Sequence, residues 1–154
     1  MKLVPTFITV LFLATASCNH TFKEYNKESF PAYSWQQGQE IEFNPKIEDI
    51  TKTYQITLGL RHVYGLKLSS MTVNVRMISP SGKETSKDYT LKIMKSEDQY
   101  EGSCAGDLCD LEVLVEKSMN FDETGEYRFI LTHKVQTERV PGVIEFGLII
   151  DESN

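Results

Sequence analysis

Short runs in which apolar and polar residues change places at every second position dominate this chain, and that period leaves it few architectures. Ile41 and Phe43 alternate with Glu40 and Glu42. Tyr54, Ile56, Leu58 and Leu60 alternate with Gln55, Thr57, Gly59 and Arg61. Val73, Val75 and Met77 alternate with Thr72, Asn74 and Arg76, and Tyr89, Leu91 and Ile93 with Asp88, Thr90 and Lys92. Leu111, Val113 and Val115 alternate with Asp110, Glu112 and Glu116, and Tyr127, Phe129 and Leu131 with Glu126, Arg128 and Thr132. Ile144, Phe146, Leu148 and Ile150 form the last run. A period of two gives each strand one dry and one wet face. No stretch keeps a helical period over three turns. Asn44-Pro45 and Ser79-Pro80-Ser81-Gly82 punctuate the runs as turns. The pattern predicts an all-β chain, an antiparallel β-sandwich of about seven strands, immunoglobulin-like or jelly-roll-like, over residues 35–154. Glu123-Thr124-Gly125-Glu126-Tyr127-Arg128-Phe129 fits a tyrosine corner, in which the Tyr hydroxyl bonds back to the backbone. Phe129 stands where immunoglobulin domains often carry a cysteine, so no inter-sheet disulfide is expected.

The first residues are of a different kind. Lys2 precedes an apolar run from Leu3 to Leu13, the length of a secretory h-region and too short to span a membrane. Ala14-Thr15-Ala16-Ser17 and then Cys18 follow. A cysteine behind small residues resembles a bacterial lipobox, with residues 1–17 as signal peptide and Cys18 the acylated new N-terminus. Thr15 stands where lipoboxes prefer Leu, and Ala14-Thr15-Ala16 also reads as an ordinary A-x-A cleavage site. Residues 18–34 then form a lipidated start and a polar tether, interrupted by Phe22, Tyr25, Phe30 and Tyr33, whose second half is able to dock on the domain. No acidic run follows Cys18, and Asn19 is not an acidic retention signal. Both features point to the periplasmic face of the outer membrane.

Cysteine parity supports acylation. Export leads to an oxidising space, where cysteines pair. With Cys18 carrying lipid, Cys104 and Cys109 remain and form a natural local disulfide. A metal or redox pair is the alternative, but the spacing is C-x4-C with no second Cys/His pair nearby. Lys2 is the only charge in residues 1–17, so their removal takes the net charge from −6 to −7. That balance argues against a nucleic-acid partner. It also leaves lipid at Cys18 as the means of holding a membrane, because no polybasic segment is present.

Catalytic signatures are missing from the sequence. His20, His62 and His133 read as tether, surface or rim residues, outside any nucleophile–base motif. There is no G-x-S-x-G, H-E-x-x-H, EF-hand loop or Gly-rich phosphate loop. Asp107, Asp110 and Glu112 are able to collect a cation but read as a solvated acidic loop. Trp35 reads either as a plug for one end of the sandwich or, with Tyr33 and Tyr64, as a sugar-stacking platform. Ile130 and Ile149 face away from the dry side of their strands, as an apolar contact patch or under a cover. Gln55, Thr57 and Arg61 offer a wet face as the other contact surface.

Several of these residues together resemble the gliding motility lipoprotein GldH family of Bacteroidetes. They are Cys18; Phe30-Pro31 with Trp35 and the Glu40–Phe43 strand; Tyr54-Gln55-Ile56-Thr57-Leu58 with Arg61 and Tyr64; and Gly102 to Leu108. The most specific are Gly125-Glu126-Tyr127-Arg128-Phe129, Val140-Pro141-Gly142-Val143 and Phe146-Gly147-Leu148-Ile149-Ile150. The resemblance runs from about Phe30 to Asp151, and Cys104 and Cys109 look like a local addition to it. It implies an envelope lipoprotein tied to gliding motility and its associated secretion machinery, without enzyme activity or cofactor. Partners are then the membrane, through lipid (palmitate) on Cys18, and other envelope lipoproteins or motility and secretion proteins. A carbohydrate-binding envelope lipoprotein is the alternative.

Overall fold

A computed structural model describes residues 21–153. Its strands are β1 (Phe22–Asn26), β2 (Ser34–Gln36), β3 (Ile41–Phe43), β4 (Lys46–Ile47), β5 (Tyr54–Val63), β6 (Ser70–Ile78), β7 (Glu84–Lys92), β8 (Met94–Ser96), β9 (Gln99–Tyr100), β10 (Ser103–Ala105), β11 (Leu108–Met119), β12 (Gly125–Glu126), β13 (Arg128–His133), β14 (Arg139–Pro141) and β15 (Val143–Glu152). One 3-10 turn, Pro31–Tyr33, interrupts them, and no α-helix occurs among the described residues. Two antiparallel sheets dominate, one ordered β1-β15-β5-β11-β10 and the other β3-β13-β6-β7. Phe22 of β1 meets Phe43 of β3 edge-on at 6.5 Å. Lys87 of β7 meets Glu116 of β11. The two sheets therefore lie face to face, with β1 over β3 on one flank and β11 over β7 on the other. The all-β sandwich read from the period of two is the fold. The number of strand segments exceeds seven because short two-residue and three-residue ladders close the ends.

The dry faces supply the core. Ile56, Leu58 and Leu60 of β5, Val73 and Val75 of β6, Phe129 and Leu131 of β13, and Phe146, Leu148 and Ile150 of β15 are all buried in one cluster. The turn at Ser79 is a tight hairpin, closed by Ser79 N–H to Lys83 O at 2.9 Å, with Gly82 at φ +89°. Tyr127 is a tyrosine corner: its hydroxyl donates to Glu123 O and accepts from Glu123 N–H, both at 3.1 Å.

Three expectations need correction. The tether of 18–34 is shorter than expected: residues 22–26 are a strand paired along its length with β15, from Phe22 against Ile150 to Asn26 against Phe146. The docking expected of its second half is seen, with Phe30 buried against Trp35 at 5.6 Å. The apolar groups spaced through that stretch are worth more against the sheet than in water, so the domain begins before residue 35. The signal peptide, Cys18 and His20 lie outside the described residues. Second, Ser96 to Gly102, with Glu97, Asp98 and Glu101, reads in the sequence as a polar loop leading into the Cys104–Cys109 turn, yet it carries β9 and the turn of the β8–β9 hairpin, at Asp98 with φ +60°. Third, His62 and His133 are not rim residues: they are 0% and 4% exposed. The period of two simply continues, Leu58-Leu60-His62 and Phe129-Leu131-His133, and carries each imidazole onto a dry face.

Cys104 and Cys109 face each other across the β10–β11 hairpin and are joined by a disulfide, with Cα atoms 4.0 Å apart. Five residues of separation close a very small loop. Its removal, as Cys104→Ser with Cys109→Ser, is expected to cost only about 2 kcal/mol by loop-closure entropy. The melting temperature should fall by roughly 4–8 °C for a chain of this size, with the far-ultraviolet strand signal intact. A collapse of that signal would show that the bridge holds more than its hairpin.

Candidate functional site: the outer face of the five-stranded sheet

The wet face of the five-stranded sheet collects the polar residues of five strands into rungs. On one rung Tyr25, Gly147, Gly59 and Glu112 stand side by side on β1, β15, β5 and β11. The two glycines make a saddle, and the Tyr25 ring lies across it. A Cβ on Gly147 would stand 2.6 Å from Tyr25 Cε1, and one on Gly59 would strike the Tyr25 hydroxyl. Glycine inside a strand marks such a close approach. The ring thereby reaches over two strands, and its hydroxyl donates to Glu112 Oε1 at 2.8 Å. Partial burial of the ring, followed by the Glu112 carboxylate, pushes the phenol well above its ordinary value, so it stays a donor.

The neighbouring rung sets Glu145, Arg61 and Asp110 in line on β15, β5 and β11. Arg61 holds Asp110 with both ends of its fork, Nε to Oδ1 at 2.6 Å and Nη2 to Oδ2 at 3.1 Å, and reaches Glu145 at 3.4 Å. The Asp110 hydrogen bond is the main reason the guanidinium is held even more firmly charged than usual. On the far side of the saddle Lys23 approaches Glu112 at 3.5 Å. Lys23, Tyr25, Arg61, Asp110, Glu112 and Glu145 line a groove of about 560 Å³. It presents three carboxylates, two cations and one flat aromatic ring on the face of the sheet.

The residues singled out in the sequence are dispersed. Arg61 and Thr57 are on this face, and Asp110 and Glu112 belong to its ion pairs, so they do not form a solvated loop. Ile149 also lies on this face, between Lys23 and Thr57 in register, and is buried. Ile130 is buried on the outside of the other sheet, between Glu42 and Arg76. Both isoleucines are therefore covered in the folded chain and do not stand open as a contact surface. Trp35 is 0% exposed, so the sugar platform loses its tryptophan; Tyr33 and Tyr64 are exposed, and Tyr64 leans on Tyr100 at 5.4 Å. Among the described residues, no three His, Cys, Asp or Glu side chains converge to hold a metal ion. Sequence reasoning missed Tyr25, Lys23 and Glu145. Gly59 and Gly147, both on wet positions of strand runs, were the available signal for the first.

The GldH lipoprotein family model matches residues 21–150. A relative from Christiangramia forsetii described as a gliding motility lipoprotein GldH homolog is 18% identical over 153 residues, covering 95% of this chain and 92% of its own. Two solved structures share partial likeness at 11% identity. TmCBM61 in complex with beta-1,4-galactotriose has a TM-score of 0.32, with 85% of this chain and 79% of that one covered. Infectious bursal disease virus has a TM-score of 0.35, with 93% of this chain and 36% of that one covered. At those scores neither likeness bears on function.

Proposed function

The chain belongs to the GldH lipoprotein family, and from that premise we propose that it is a non-enzymatic envelope protein, anchored by lipid on Cys18, that works by binding other envelope proteins of the gliding or associated secretion machinery. The observation that carries the reading is the groove on the five-stranded sheet. It is charged in both signs and shaped by a tyrosine held across two glycines. It borders β1, whose first residue follows Cys18 by three intervening residues. Lipid at Cys18 therefore keeps this face within a short chain length of the bilayer, which raises its local concentration toward other anchored proteins. The side is the periplasmic face of the outer membrane, in keeping with the neutral residues Asn19 and His20 after Cys18.

Co-purification from detergent-solubilised envelopes tests this, with Cys18→Ser and Arg61→Glu as controls. Wild type is expected to recover a defined envelope protein at least tenfold over Cys18→Ser. Arg61→Glu, which sets a third carboxylate beside Asp110 and Glu145, should lose the partner while remaining acylated and membrane-bound. Equal recovery by wild type and Cys18→Ser, or an unmodified thiol at Cys18 by mass spectrometry, overturns the anchored reading. Undiminished recovery by Arg61→Glu removes the groove from it.

A further inference from the structure

The end of the sandwich where β1 starts holds a pinned turn with an aliphatic tip. Asp49 Oδ1 accepts from Thr51 N–H at 2.9 Å and from Thr51 Oγ1 at 2.6 Å, and the Tyr54 hydroxyl donates to Asp49 O at 2.7 Å. The turn so fixed, residues 49–52, holds Ile50 out, 43% exposed. It lies beside the first residues of the domain: Thr21 and Phe22 line one hollow with Lys46, Asp49, Lys52 and Glu152. Lys46 pairs with Glu48 at 3.1 Å and Lys52 with Glu152 at 2.6 Å, so cations match most of the carboxylates around Ile50.

Only Asn19, His20 and Thr21 separate Cys18 from Phe22. Fully extended, the steps from Cys18 to Phe22 span at most about 14 Å. With lipid on Cys18, this end of the sandwich is held within that reach of the bilayer. The opposite end is beyond it. β5 runs ten residues from Tyr54 to Val63, about 30 Å at strand rise. At its far end Val63 N–H donates to Gly142 O and Gly142 N–H to Tyr33 O, with Tyr64 next in the chain. The sides of the domain decide how it rests. Both broad faces carry ion pairs, Arg61 with Asp110 and Glu145 on the five-stranded sheet, and Arg128 with Glu42 and Arg76 with Glu40 on the other. The β1 flank carries Glu24, Lys27 and Glu28, all exposed. Laying any of these on lipid strips water from charges. The near end instead offers Ile50 between Lys46 and Lys52, whose long stems let the ammonium groups stay among the headgroups.

We propose that the domain stands end-on on the lipid bilayer, with the 49–52 turn at headgroup level and Ile50 touching the acyl region. The strands then run along the membrane normal. The groove on the five-stranded sheet opens sideways, toward neighbours anchored in the same bilayer, and Tyr33 and Tyr64 mark the membrane-distal tip. The inference rests on the reading of Cys18 as acylated, and adds to it a second membrane contact and a set direction for the groove.

The test uses the full acylated chain in phosphatidylcholine vesicles, with or without bromine on the acyl chains, and a fluorescent probe placed by Ile50→Trp, Glu28→Trp or Tyr64→Trp. Trp35 is buried and common to all of them, so wild type supplies the baseline. The added emission of Ile50→Trp is expected to fall at least twofold in brominated vesicles, and that of Glu28→Trp and Tyr64→Trp to stay unchanged. If Ile50→Trp does not fold, amide exchange of the wild type decides: it should slow at least tenfold across 49–52 on vesicles, relative to Cys18→Ser in solution, and stay unchanged across 64–66. Quenching at position 28 equal to that at position 50 lays the domain on its β1 flank. Equal quenching at all three positions, or at none, leaves it without a set direction. Each of these results overturns the proposal. Flotation separates it from the reading beneath it: a wild-type chain that fails to float with the vesicles overturns the anchor and the end-on stance together, whereas one that floats unquenched at position 50 overturns the stance alone.

Discussion

Trp35→Ala is expected to cost about 3–5 kcal/mol, the range for removing a fully buried large aromatic, out of the roughly 5–15 kcal/mol that holds a domain together. Trp35 is 0% exposed. Its ring packs against Phe30 at 5.6 Å, His133 at 5.4 Å and Phe146 at 5.0 Å. Its indole N–H donates to Gln39 O at 3.0 Å. The Gln39 side chain in turn accepts from Gln36 N–H at 3.0 Å and donates to Ser29 O. The segment from Ser29 to Gln39 is thus wound around one indole, and it is tied to the body of the sandwich by β2 pairing with β14. Truncation removes the centre of that winding and leaves a void whose walls belong to both sheets. Chemical denaturation with circular dichroism measures the loss. Trp35→Phe keeps an aromatic but drops the Gln39 bond, so it should fall between the alanine variant and wild type. A cost below about 1 kcal/mol for the alanine variant would mean that the indole is not the plug of this end.

Acidification from pH 6.5 toward 5.5 is expected to destabilise the protein. The cause is the pair of buried imidazoles. His62 uses Nδ1 on Val63 O at 2.9 Å, packs on Tyr100 at 4.9 Å, and has no partner at Nε2. Burial holds its pKa below the ordinary value, against weaker support for the charged form from Val63 O and the nearby Asp110 carboxylate. His133 has no well-formed hydrogen bond at either nitrogen. The backbone of Gln36 and Trp35 beside it favours the charged form, but burial outweighs this and lowers its pKa too. In both cases the unfolded chain binds the proton more readily than the folded one. Stability from the neutral form is therefore complete above the unfolded pKa of about 6.5 and is lost as pH falls from there toward the folded value. The steepest possible slope is about 1.4 kcal/mol per pH unit for each histidine. Glu42, Glu116 and Glu123 are held below their ordinary range, by Arg128, by Lys87 and by Ser79 respectively, so their losses begin only at lower pH. Denaturation midpoints at pH 7.5, 6.5 and 5.5 measure the slope, and replacing His62 by Gln should reduce it whatever its effect at neutral pH. A flat profile down to pH 5.5 would show that neither imidazole is held neutral.

The parts of the molecule legible beforehand are those carried by local period and local turn chemistry. The dry faces of β5, β6, β13 and β15 follow from alternation alone, whereas residue order leaves Trp35 open between plug and platform, and its packing on Phe30, His133 and Phe146 makes it the plug. The Ser79–Gly82 hairpin and the Tyr127 corner follow from glycine, proline and tyrosine at fixed offsets. Both histidines occupy dry positions of their strand runs, so alternation marks them as buried while a search for catalytic motifs does not. In the stretch before residue 35 only residues 22–26 depart from a tether, and there local period gives no sign of it. Its aromatics were visible, but their partner strand lies more than 120 residues further along.

That distance marks the division between what residue order decides and what the assembled sheets decide. Alternation sets which face a side chain takes, because the pleat turns successive residues to opposite sides whatever lies beyond. It says nothing about which strands become neighbours, in what register, or which edges go unpaired. The Tyr25 ring on Gly59 and Gly147, its bond to Glu112, the grip of Arg61 on Asp110 and Glu145, and the place of Phe22 beside the 49–52 turn all depend on those choices. Register and strand order are settled by burying the whole of both dry faces at once, a cooperative sum over distant residues. The core was therefore readable one strand at a time, and the groove and the make-up of each end of the sandwich only after all of the strands had been laid side by side.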